Sequence, residues 1–94
     1  MLTLNPLRVA SVLAGIERMG AEEFESWCAM IHEMVENGAI ISNYDGILGE
    51  LDGLYERSFK WSSPLGEGKV PSYNTLRMAL IAKRDKEGRD RSAP

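Results

Sequence analysis

The stretch Asn43-Tyr44-Asp45-Gly46-Ile47-Leu48-Gly49-Glu50-Leu51-Asp52-Gly53-Leu54-Tyr55-Glu56-Arg57 decides the fold class of this 94-residue chain. At 100° per residue, Tyr44, Ile47, Leu48, Leu51, Leu54 and Tyr55 fall within one arc, while Gly46, Gly49 and Gly53 gather on the opposite side. One face is built to pack and the other is nearly bare. Each interior glycine costs about 0.5–1 kcal/mol relative to alanine, so three in one helix need either tolerance or a compensating contact, which would be another backbone lying close. Ser42 with Asp45 three residues on reads as a capping box, and the helix is expected over 43–59.

Toward the N-terminus, Asn5-Pro6 is a helix start, because asparagine accepts from free amides and proline at the first position loses no needed donor. Val9, Val12, Leu13, Ile16 and Met19 then form one stripe that ends at Gly20, giving a helix over 5–19. A second stripe of Phe24, Trp27, Cys28, Ile31, Met34 and Val35 follows, with Glu22, Glu23 and Glu25 in the first turn and Asn37-Gly38 at the end, giving a helix over 21–37. The link between these helices is so short that it forces a sharp corner or an antiparallel hairpin. Ala39-Ile40-Ile41 reads as a brief apolar connector.

Toward the C-terminus, two prolines and two glycines between Lys60 and Pro71 stop a helix and predict a loop over 60–71. Ser72 then caps a helix over 72–86, with Tyr73, Leu76 and Leu80 on one stripe and Met78 and Ile81 on another side. The polar, glycine-broken residues 87–94 are expected to fray. The expectation is an all-α single domain over 1–86, a compact bundle of four helices with a disordered charged tail.

Composition agrees with an ordinary globular protein: 44% of residues are apolar and 27% charged. One cysteine, Cys28, allows no internal disulfide, no secretory pattern is visible, and no apolar run approaches the roughly 20 residues that cross a bilayer. The expected setting is the cytoplasm, without a membrane. The net charge of −3 hides a division. Residues 17–56 hold ten acids against one base, and residues 57–91 hold nine bases against four acids. Such asymmetry implies either self-complementary packing or two surfaces with different partners.

Candidate chemistry is sparse. Cys28, His32 and Glu36 follow at four-residue steps on one helix, but no second cysteine or histidine completes a metal set, so neither a metal nor a cofactor is expected. The better reading puts Cys28 in the core and His32 at its boundary beside Glu25 and Glu36. No nucleophile–base pair or carboxylate cleft appears as a motif, and the three glycines lack the Lys-Ser or Lys-Thr of a phosphate loop; the chain is read as non-enzymatic.

Binding is the remaining class. Aromatics and methionines exceed what so small a core requires, with Met30 at the edge of its helix beside Glu23 and Trp61 opening the long loop. Glu23, Met30, Gly46, Gly49, Glu50, Gly53 and Trp61 are therefore the candidate protein-binding residues. The expected partner is a larger protein with a basic surface, or a second copy meeting the glycine face, and the size suits an accessory inhibitor or adaptor of the kind encoded by phages or mobile elements. The alternative is a small DNA-binding regulator, in which Tyr73, Asn74, Thr75, Arg77, Lys83 and Arg84 of a basic helix face nucleic acid.

Overall fold

The computed structural model describes residues 3–59 and 70–92, with side chains through Gly88. The chain is all-α, as its apolar periods require: helices α1 (Pro6–Met19), α2 (Ala21–Glu36), α3 (Tyr44–Leu54) and α4 (Pro71–Ser92) carry it, with a π-helical turn at Tyr55–Phe59. The contacts run α1 to α2, α2 to α4, α4 to α3 and α3 to α1, so the helices stand at the corners of a ring around one core. Phe24, Leu51, Leu54, Leu76 and Leu80 fill its centre with no exposed surface.

Local signals set most helix ends. The Asn5 side chain accepts from the Arg8 amide at 2.8 Å, and Pro6 opens α1. Gly20, at φ 119°, serves as the last cap of α1 and the first of α2. That conformation lets the chain reverse in one residue, and of the two arrangements the link allowed, α1 and α2 form the antiparallel hairpin: Arg8 lies by Ile31 and Met34, and Ile16 lies by Glu23 and Ser26.

Five local features differ from the sequence expectation, the last at the start of α4. The cap of α3 is Asn43 rather than Ser42: Asn43 sits at φ 62° and its side chain accepts from the Gly46 amide at 3.0 Å. Ser42 is engaged elsewhere, donating its amide to the Leu4 carbonyl at 2.8 Å. That bond extends a two-residue parallel bridge between β1 (Thr3–Leu4) and β2 (Ile40–Ile41), so the apolar connector is a strand pairing across the whole α1–α2 hairpin. Third, the helix expected to reach Phe59 widens into the π turn after Leu54. A wider turn rotates each residue less, which carries Phe59 back onto the buried face, where its ring stacks on Phe24 at 5.1 Å.

The fourth difference is at the C-terminus. The tail expected to fray from residue 87 continues α4 to Ser92. Lys, Arg and Glu are good helix formers, and one glycine at 88 costs only about 1 kcal/mol, too little to end the helix there. Of the expected loop, 60–69 lie outside the described residues, as does Trp61; Val70 is buried and Pro71 begins α4.

The charge division resolves within the molecule. Arg77 Nε lies 3.1 Å from Asp52 Oδ1, and Arg84 Nη1 lies 2.7 Å from Asp45 Oδ1. Both pairs are seven residues apart on their own helices and run in opposite senses, so α3 and α4 are antiparallel with matched charge at a two-turn repeat. Tyr73 donates its hydroxyl to the same Asp52, and its ring stacks on Tyr55 at 4.2 Å with planes 6° apart. At the N-terminus of α4, the Glu25 carboxylate accepts from the Ser72 amide at 2.8 Å and from its hydroxyl. Thus the cap expected from Ser72 itself comes from α2, where a negative charge meets the free amides and the positive helix end.

Asp52→Ala removes the shared acceptor of Tyr73 and Arg77 and is expected to lower unfolding free energy by about 1–3 kcal/mol in urea titration. The double exchange Asp52→Arg with Arg77→Asp should recover part of that loss. The glycines separate cleanly. A Cβ at Gly46 would stand 2.5 Å from Pro6 Cγ and 2.8 Å from Asn43 Nδ2, whereas one at Gly49 meets nothing within 4 Å. Gly46→Ala should cost about 1–3 kcal/mol and Gly49→Ala should gain about 0.5–1 kcal/mol, read from the midpoint shift of the same titration.

Candidate protein-binding groove

Val12 and Met19, placed in the α1 core stripe by their spacing, are 40% and 68% exposed, and Met30 on α2 is 46% exposed. The remaining stripe members Val9, Leu13 and Ile16 are buried. The reason is angular: α2 and α3 cover a narrower arc of α1 than its apolar residues occupy, and Val12 falls at the uncovered edge.

Between α1 and α2 that edge becomes a groove. Val12, Ile16, Glu23, Ser26, Trp27 and Met30 line a hollow of about 270 Å³. A second hollow of about 170 Å³ shares Val12, Trp27 and Met30 and extends toward Leu4, Arg8 and Met34. Trp27 forms the floor, only 9% exposed, and Val12 and Met30 stand on opposite walls. Arg8 marks one end and Glu23 the other. Such an apolar strip with charged ends has the anatomy of a protein-contact surface.

Two of the expected protein-binding residues, Glu23 and Met30, are brought together here. Glu50, Gly49 and Gly53 lie on α3, which contributes no residue to the lining of either hollow, so the structure does not join them to the groove. Gly49 and Glu50 are exposed, and Gly53 has only the Arg57 guanidinium near, 3.7 Å from where a Cβ would stand. The close approach inferred for the glycine face exists at Gly46 alone, and the neighbour is Pro6 of α1 rather than another chain. Arg8, Val12 and Trp27 were not singled out as site residues, and the signal for Val12 was present: it sits at the margin of the α1 stripe.

The residues of the nucleic-acid alternative are mostly engaged within the chain. Tyr73 and Arg77 hold Asp52, and Arg84 holds Asp45 and lies 3.5 Å from Asp85. Burial, and then the bond to Asp52, push the Tyr73 phenol well above its ordinary value. Each arginine is held still more firmly in its charged form by its carboxylate. Asn74 and Thr75 are exposed, with Thr75 Oγ1 donating to the Pro71 carbonyl at 3.3 Å, and Lys83 is half-buried.

On the inner side of α2, Cys28 is fully buried. Burial, reinforced by the Glu25 charge, pushes its thiol up to about 12. His32 Nε2 instead lies 3.2 Å from Glu36 Oε1 at the surface. Among the described residues no group of three or more His, Cys, Asp or Glu side chains is placed to hold a metal ion, and no helix is long and apolar enough to cross a membrane. Comparison with protein-family models, with curated proteins and with solved structures gives no match for this chain.

A thiol so placed is inert while the fold persists. Ellman's reagent at pH 8 should label Cys28 in the native protein at least roughly a hundredfold more slowly than in the urea-unfolded chain. Equal rates would mean that α2 opens readily.

Proposed function

We propose that this chain is a non-enzymatic protein-binding module that makes contact through the α1–α2 groove, an inhibitor or adaptor acting in the cytoplasm. The observation that carries the reading is a half-exposed methionine and valine facing each other over a tryptophan floor. Methionine and tryptophan adapt to and anchor partner side chains, and a small domain leaves such a strip open at a cost in solubility that contact with a partner relieves. Outside the groove lining, the exposed carboxylates of Glu22 and Glu33 on α2 favour a further partner with a basic surface, which suits a nucleic-acid-handling protein. An origin in a phage or mobile element is consistent with this role.

The DNA-binding alternative has less support, since Arg77 and Arg84, its main phosphate contacts, already face carboxylates.

A photo-crosslinking residue at position 30 tests the reading in native host cells. Protein adducts are expected at position 30, and few from the same residue at Gly49. Absence of any protein adduct at 30, together with a DNA mobility shift whose salt slope falls on Arg77→Ala, would transfer the assignment to nucleic acid.

A further inference from the structure

We propose that the occupant of the α1–α2 groove is a second copy of this chain, giving a two-fold symmetric dimer. The inference rests on the reading of the groove as a protein-contact surface and adds the identity of what fills it.

The groove is complementary to itself. Its middle, where the two hollows share Val12, Trp27 and Met30, is apolar, and its two ends carry opposite charges. Arg8 lies at the end formed by the start of α1 and the far part of α2; Glu23 lies at the end formed by the close of α1 and the start of α2. Among the described residues, both side chains are exposed and neither enters an ion pair, unlike Arg57, Arg77 and Arg84.

A dimer with a two-fold axis running across the groove lays the two grooves face to face and antiparallel. In such a contact, if one residue meets another, the reverse meeting also occurs. Arg8 of each copy then faces Glu23 of the other, so two ion pairs close the ends while Val12 and Met30 pack against their counterparts at the centre. A parallel arrangement would set like charges together and is disfavoured. Gly15, one turn from Val12 on the same side of α1, has nothing within 4 Å of its Cβ position and leaves room for the partner's side chains.

The test uses the purified full chain in sedimentation equilibrium over a wide concentration range at low and moderate salt. A reversible monomer–dimer equilibrium is expected. Met30→Glu, at an exposed position, should abolish the dimer while leaving the far-ultraviolet circular dichroism of the chain unchanged. Arg8→Glu and Glu23→Arg should each raise the dissociation constant roughly tenfold at low salt. The double exchange should restore it to within about threefold, because the symmetry returns opposite charges to each end. That rescue is what a merely structural role for either residue would not produce.

A strict monomer at every concentration overturns the proposal. So does a dimer indifferent to Met30→Glu, or one broken by Gly49→Glu instead. Crosslinks from position 30 to a different protein, with the chain itself monomeric, would overturn the dimer while leaving the groove as a contact surface; no protein crosslink at all would remove both.

Discussion

The return of α4 into the bundle depends on three carboxylates waiting for it. Asp52 holds Tyr73 and Arg77, Asp45 holds Arg84, and Glu25 caps the first turn. Asp52 and Glu25 are half-buried and Asp45 is exposed, so the energy of each contact is modest and screened by water. Their value is registry: opposite charges at a two-turn repeat on both helices define one antiparallel alignment, and shifting it by one turn would break both pairs and the Tyr55–Tyr73 stack together. Burial of Leu76 and Leu80 then supplies the larger part of the stabilisation without specifying the register.

That arrangement also explains where charge remains available. An acidic centre and a basic C-terminal third look, in a linear reading, like two binding surfaces. Folding joins them, and Asp45 and Asp52 of α3 become partners of Arg84 and Arg77 of α4. A further link at Glu17, whose carboxyl is held below its ordinary range by hydrogen bonds from Arg57 and Ser58, ties α1 to the π turn. The exposed acids that remain lie largely on the outer side of α2, next to the groove.

The π turn and the groove share a cause in the small size of the core. Widening the turn after Leu54 adds Phe59 to the interior and lets it stack on Phe24. Nothing equivalent covers the outer edge of the α1–α2 hairpin among the described residues, and Val12, Met19 and Met30 stay exposed there. An apolar strip of this kind on a 94-residue domain is the feature most directly answered by association.

Much of the architecture was determined by the sequence alone, because it depends on local chemistry. The periods of Phe24 to Val35 and Tyr44 to Leu54 established helices and their inward faces; Asn5, Pro6 and Gly20 established their ends; Met30 stood out from its own stripe. The tertiary structure decided what spacing cannot carry. An apolar period gives a direction but not the width of arc that neighbours will cover, so Val12 and Met19 moved from core to surface. It gives no distance between residues 25 to 39 positions apart either, and so the capture of Arg77 by Asp52 and of Arg84 by Asp45 emerged only when the helices were brought side by side. The same holds for Gly46, whose bare face met Pro6 because α1 begins where α3 begins.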